Sequence, residues 1–285
     1  MAFASFAQLL RACDHQPVWQ AILKSDCEDR QTDERTSFEK MRGMYRAMAA
    51  ARDAYAPEER SQSGLVGGDG GRMAAYVAAG DTISGAFVGQ VIAQALQMGE
   101  SNACMKRIVA APTAGACGVL PAVLLPYQAA HGAPEDEMVR ALYVAAGIGQ
   151  IIATRAFIAG AAGGCQAEVG SAAAMGAGAL CALRGGDGEA VAHAAAMALK
   201  NLLGLVCDPV AGLVEVPCVK RGVIGAMAAL SSAEMALAGI RSAIPPDEVV
   251  DAMREVGEKM DVSLRETGEG GLANTPCGRC ARERL

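Results

Sequence analysis

Aromatic residues are scarce in this 285-residue chain: Phe, Tyr and Trp make up 4% of it, although 52% of its residues are hydrophobic. The core must therefore be built from Ala, Leu, Val, Ile and Met. Small residues of that kind favour closely packed helices, Ala because it loses no side-chain entropy there. Also missing is any segment with sustained period-two alternation rich in Val, Ile and Thr, or any internal repeat. The fold class expected is all-α, a helical domain whose helices are broken by Gly and Pro around a buried site. The net charge is −6, and no stripe of Lys and Arg is present. Nucleic acid and anionic membrane surfaces are thereby excluded as main partners, since phosphate binding needs clustered cations.

The chain also lacks a clean run of about 20 apolar residues, the length needed to span a bilayer. Its longest uncharged run, Ile108 to Pro134, is interrupted by Pro112, Pro121 and Pro126, and the run from Ala141 meets Arg155. Buried core helices explain the mean hydropathy of +0.23. The N-terminal MAFASFAQLLRACDHQPVW has no cationic segment ahead of an apolar one. No signal peptide is expected, and the expected location is cytoplasmic.

What the chain has instead is ten cysteines and 34 glycines. Without a secretion signal, that many thiols point to metal or redox use rather than to a disulfide framework. Residues 1–60 are the more polar part and read as a helical arm, with Thr36 or Ser37 capping a helix to about Ala54. Residues 61–285 read as the main helical domain, ending in a glycine-rich tail. Within it, SGLVGGDGG is a loop ahead of a helix, and such turns can hold anions on backbone N–H groups. A plain flexible loop fits equally well. Asp187 is expected to cap a helix from 188 to about 203.

The informative stretch is Leu199 to Arg221, LKNLLGLVCDPVAGLVEVPCVKR. It sets Cys207 and Cys218 on backbone broken by Pro209, Gly212 and Pro217, with Lys200, Asp208, Glu215, Lys220 and Arg221 among apolar neighbours. A helix made only to fill a core has no use for two prolines beside two thiols. Cys165, in GGCQ, shares this context. Thiolates that hold iron–sulfur clusters sit on such broken backbone. The separations, 42 and 11 residues, match no general ferredoxin spacing, so a structural zinc site or simply buried thiols are alternatives. Cys13, Cys27, Cys104 and Cys181 lie in plain helical contexts suited to packing, and Cys117 is intermediate. A metal centre with three cysteines and no fourth would keep an open position for substrate.

The motifs SGLVGGD (63–69), APTAGACGVLP (111–121), GAAGGCQAEVGSA (160–172), the Leu199–Arg221 stretch and RETGEGGLANTP (265–276) closely resemble the alpha chain of iron–sulfur-dependent L-serine dehydratase, in order, over about residues 60–276. The resemblance implies a 4Fe–4S cluster on Cys165, Cys207 and Cys218, no pyridoxal phosphate, and conversion of L-serine to pyruvate and ammonia. It implies an oxygen-sensitive lyase of amino-acid catabolism and gluconeogenesis. His15, His131 and His193 lie in none of these motifs, so a separate beta chain is expected to supply a catalytic histidine, in a heterodimer or higher oligomer. Lys200 is the candidate for carboxylate binding or proton transfer. Ser63, Gly67, Gly68, Asp69 and Thr113 are candidates for substrate binding. Glu168 and Asp208, beside the ligands, are candidates to orient thiolates through hydrogen bonds. Cys277 or Cys280 is a candidate plug of the open iron in the resting enzyme. Two other readings are a cysteine desulfidase with a similar site and a non-catalytic metal-binding scaffold subunit.

Overall fold

A computed structural model describes residues 3–285. They form thirteen α-helices, with no strand among the described residues. In chain order these are α1 (Phe6–Ala12), α2 (Val18–Arg30), α3 (Glu34–Asp53), α4 (Asp69–Ala78), α5 (Gly85–Ala103), α6 (Val119–His131) and α7 (Glu135–Arg155). They continue with the single-turn α8 (Gly160–Gly163), α9 (Cys165–Leu183), α10 (Gly188–Lys200), α11 (Cys218–Leu237), α12 (Pro246–Lys259) and α13 (Pro276–Glu283). None of the described helices is long and apolar enough to cross a membrane.

The small residues counted in the sequence are concentrated in α9, where all but Glu168, Ala182 and Leu183 are buried. A helix apolar on every side must be surrounded, and α9 packs against α6, α7, α10 and α11. Its glycines permit the close approach: a Cβ at Gly176 would lie 3.1 Å from Ala229 Cβ on α11. α1, α2 and α3 belong to the same core. Phe6, Leu9, Ile22, Leu23, Tyr45 and Met48 join one hydrophobic cluster with residues of α7 and α9. Asp247 of α12 accepts the backbone N–H groups of Phe6 and Ala7, so α1 is capped from the far end of the sequence.

Two local expectations change. α3 is capped by Asp33, which accepts from Thr36 N at 2.9 Å, and not by Thr36 or Ser37. Ser37 is buried and bonds Asp26 and the Tyr143 hydroxyl. The glycine-rich tail ends in a helix, α13, which Thr275 caps from Gly278 N with Pro276 in the first turn. Asp187 caps α10 as expected, accepting from Ala190 N at 2.7 Å.

Candidate metal centre

Cys165 opens α9 and Cys218 opens α11. Gly164, at φ 77°, makes the turn that ends α8 and starts α9, a conformation suited to glycine. Cys207 lies in the loop between α10 and α11, and that loop is fastened to α9 by the residue next to Cys165. Gln166, wholly buried, donates from its backbone to Leu205 O and accepts Gly204 N at 2.9 Å, while its amide donates to Met253 O on α12. Cys207 is then paired with the tail through Cys207 N→Leu264 O (2.8 Å) and Glu266 N→Cys207 O (2.7 Å). Two stretches far apart in sequence thus fix two thiols side by side.

The sulfurs of Cys165 and Cys207 and a carboxylate oxygen of Glu168 all lie within 4.8 Å of one another. Cys218 is buried outside that group, near enough for the charges of Cys165 and Glu168 to act on it. Burial, then the charges of Cys165 and Glu168, push its thiol up to about 12. In the Cys165–Cys207 pair, the hydrogen bond from Cys207 holds Cys165 below the usual thiol range, aided by Arg221, and the same bond pushes Cys207 up. The Arg221 Nη1 is 3.6 Å from Cys165 Sγ, so a cation faces that sulfur. Glu168 accepts a hydrogen bond from Thr113. Burial raises its carboxyl, against the effect of that bond, and Glu266 adds to the rise.

The loop at 61–69 docks against residues on either side of Cys218. Ser61 and Ser63 both donate to Glu215, which is buried, and Lys220 donates to Asp69 at 2.8 Å. The backbone N–H groups that begin α4 already have an anion. Glu100, 1% exposed, accepts Asp69 N at 2.7 Å and Gly70 N at 3.2 Å. Gly67 and Gly68 serve the crossing of residues 57–60, where a Cβ at Gly68 would lie 3.0 Å from the Arg60 guanidinium.

The structure thus brings together Thr113, Cys165, Glu168, Cys207 and Cys218, and sets Ser63 and Asp69 on the same cysteine-bearing segment. Lys200 is tied elsewhere, donating to Ser242 Oγ at 3.2 Å. Asp208, 3% exposed, accepts Leu272 N at 2.8 Å and pairs with Arg221. Cys277 and Cys280 are exposed on α13. Three residues escaped the sequence reading as parts of the site: Gln166, Arg221 and Glu266. Arg221 carried a signal, since it lies three residues after Cys218 and shares its helix face.

A three-thiol centre fits the residues present. The donors are free, buried and soft, a set that suits iron–sulfur clusters or thiophilic ions over hard cations. Glycines leave room at the donors: a Cβ at Gly160 would lie 2.8 Å from Cys207 Sγ, and one at Gly115 would lie 2.7 Å from Glu168 Oε1. Helical fold and donor set together define an all-α protein with a group of buried thiols and a carboxylate, at the end of a central helix, that could hold a metal ion.

The family model described as serine dehydratase alpha chain matches residues 14–273. The probable L-serine dehydratase alpha chain of Bacillus subtilis is 52% identical over 219 residues, 77% of this chain and 73% of that protein. The L-serine dehydratase alpha chain of Peptoniphilus asaccharolyticus is 39% identical over 278 residues, 96% of this chain and 95% of that one. The L-serine dehydratase of Streptomyces coelicolor is 46% identical over 181 residues, which make up 63% of this chain but only 40% of that longer protein. This chain belongs to the serine dehydratase alpha chain family. The match begins well inside the N-terminal segment, ahead of the motifs from which the resemblance is legible in the sequence.

Proposed function

We propose that this chain is the cluster-bearing alpha chain of a 4Fe–4S-dependent lyase that converts L-serine to pyruvate and ammonia. The convergence of Cys165, Cys207 and Cys218, buried and free in a chain of this family, carries the reading. Those three residues would hold the cluster, and when bound on three thiolates it supplies a Lewis-acidic iron that activates a hydroxyl leaving group.

The chain's own residues would do the rest. Arg221 and the N-termini of α9 and α11 offset the negative charge of the sulfurs. Glu168, whose carboxyl is raised by burial, holds a proton where a departing hydroxide needs one. Thr113 orients that carboxyl through its hydrogen bond. Ser63 and Asp69 lie on the loop proposed to bind substrate and are held on the cysteine segment by Glu215 and Lys220. Lys200, engaged with Ser242, is assigned no step.

His131 stacks on Tyr127 and His193 accepts from Ser242 N. A histidine for the α-proton is therefore assigned to a separate beta chain. The length of the Streptomyces relative that this chain leaves unmatched supports such a second part. The surface assigned to receive it is α4 with its flanks, where Leu65, Tyr76 and Ile83 are exposed.

The test is anaerobic reconstitution of the chain with iron and sulfide, followed by mixing with a serine dehydratase beta chain. The expected result is a brown protein that bleaches in air and forms pyruvate from L-serine faster than from L-cysteine, only when both chains are present. A colourless zinc protein, or faster sulfide release from L-cysteine, would overturn the proposed activity. Full activity of the isolated chain would overturn the assignment of the base to a partner.

A further inference from the structure

The Arg221 guanidinium joins three elements. Nη1 approaches Cys165 Sγ at 3.6 Å and donates to Val206 O at 2.7 Å, on the loop that carries Cys207. Nη2 lies 2.8 Å from Asp208 Oδ1. Asp208 in turn holds the tail. Its other oxygen accepts Leu272 N, and the turn Gly271–Asn274 is seated so closely that a Cβ at Gly271 would collide with the carboxylate. Just before that turn, the tail pairs with Cys207 at Leu264 and Glu266.

We propose that Arg221 is a positioning residue that latches the tail segment 265–275 across the cysteine site and, through the same guanidinium, withdraws electron density from the Cys165 thiolate. Seating of the tail and the electronic state of the bound cluster are thereby coupled. A buried carboxylate stays in place only with a counter-charge. Without Arg221, Asp208 is driven toward water, and the tail it holds goes with it. A donor on a ligand sulfur favours the reduced cluster, so the same loss makes the cluster harder to reduce.

This inference rests on the cluster reading above, and its two arms separate the ways of failing. The first arm is hydrogen exchange of residues 265–275 in the apoprotein, and the second is the midpoint potential of the reconstituted chain. Arg221→Gln is expected to speed exchange in the tail by about tenfold, the scale of leaving one buried carboxylate oxygen without its counter-charge. The same variant is expected to lower the one-electron reduction constant by about tenfold, or about 59 mV. Arg221→Lys keeps the charge but not the fork, and should fall between. Asp208→Asn should loosen the tail but lower the potential less than Arg221→Gln does, because the guanidinium still faces Cys165. An Arg221→Gln protein that folds and matches the wild type in either arm overturns the proposal. Should that variant fail to fold, Asp208→Asn decides: a loosened tail supports the latch, and a protected tail overturns it. A wild-type chain that takes up no cluster refutes the cluster reading, and tail exchange in the apoprotein then decides the latch alone.

Discussion

Gly160 offers a sharp test of the cysteine site, because its substitution by alanine adds one methyl group and nothing else. The residue opens α8, and its backbone is outside the left-handed region, so alanine meets no conformational penalty. On propensity alone, Gly→Ala in a helix gains roughly 0.5–1 kcal/mol. The new Cβ, however, would lie 2.8 Å from Cys207 Sγ and 3.4 Å from Glu266 Oε2. Against an ordinary contact distance, the sulfur must recede by about 1 Å. Cys207 is pinned on both sides by its backbone bonds to Leu264 and Glu266. It cannot recede without breaking the pairing with the tail. Overpacking of this kind costs about 1–3 kcal/mol, which outweighs the gain. Gly160→Ala should therefore destabilise the apoprotein by about 1–2 kcal/mol and weaken iron uptake on the order of 10–100-fold, the range for disturbed ligand support. Gly43→Ala is the matched control, since nothing lies within 4 Å of its Cβ position in mid-α3. It should stabilise by roughly 0.5–1 kcal/mol. Urea denaturation of the apoprotein and iron and sulfide analysis after anaerobic reconstitution read both. Wild-type stability and iron content in Gly160→Ala would refute the placement of Cys207.

Serine at Cys165, Cys207 or Cys218 should abolish iron retention, whereas serine at Cys27 or Cys104, outside the site, should leave it intact; iron content per chain distinguishes the two sets. Asp247→Ala removes the acceptor for Phe6 N and Ala7 N and should cost about 1 kcal/mol, with faster hydrogen exchange confined to the start of α1. The Lys220 hydrogen bond, set against some burial, holds the Asp69 carboxyl below the usual range. Its contribution to stability is present above the unfolded Asp value of about 3.9 and is lost as pH falls through the lower folded value. Lys220 is 66% exposed, so the pair is worth less than about 1 kcal/mol. Lys220→Met should flatten the acid limb of the stability curve by no more than that and leave stability at neutral pH within the same margin.

Much of the fold was legible because its signals are local. The scarcity of aromatics and the Ala- and Gly-rich segments at 165–183 imply a close-packed helical interior, which α9 provides. Pro134 with the acidic residues after it, and Asp187, mark helix starts where α7 and α10 begin. The three cysteines stood out because Gly and Pro break the backbone around them. Less legible were features that depend on partners distant in sequence. Asp33 caps α3, while Ser37, a cap candidate by sequence, is drawn into a buried bond with Tyr143, 106 residues away. The glycines at 67–71 fit an anion loop or a plain flexible loop equally well, and no local pattern reveals that Glu100 takes the amides of Asp69 and Gly70. Lys200 looked like a site residue from its apolar flanks, yet burial of its neighbours did not fix the direction of its side chain, which meets Ser242. Gln166 carries no pattern of its own in the sequence, though it is the bracket that holds the Cys207 loop to α9 and α12.

The three thiols are not supported in the same way, and the difference follows from charge. Gathering anionic sulfurs in a buried place requires compensation. Cys165 and Cys218 each open a long helix, whose N-terminal N–H groups and dipole favour a thiolate. Cys207 opens no helix. Its backbone is held by the tail, and its sulfur leans on Cys165, whose charge is met by Arg221. Two donors therefore come with the helical framework, while the third is in place only when residues 264–266 lie alongside it. That dependence gives the RETGEGGLANTP segment a physical reason to accompany the cysteine motifs from which it is far removed in sequence. It closes the polar side of the loop that carries Cys207, and it brings Glu266 to face the thiol and Glu168.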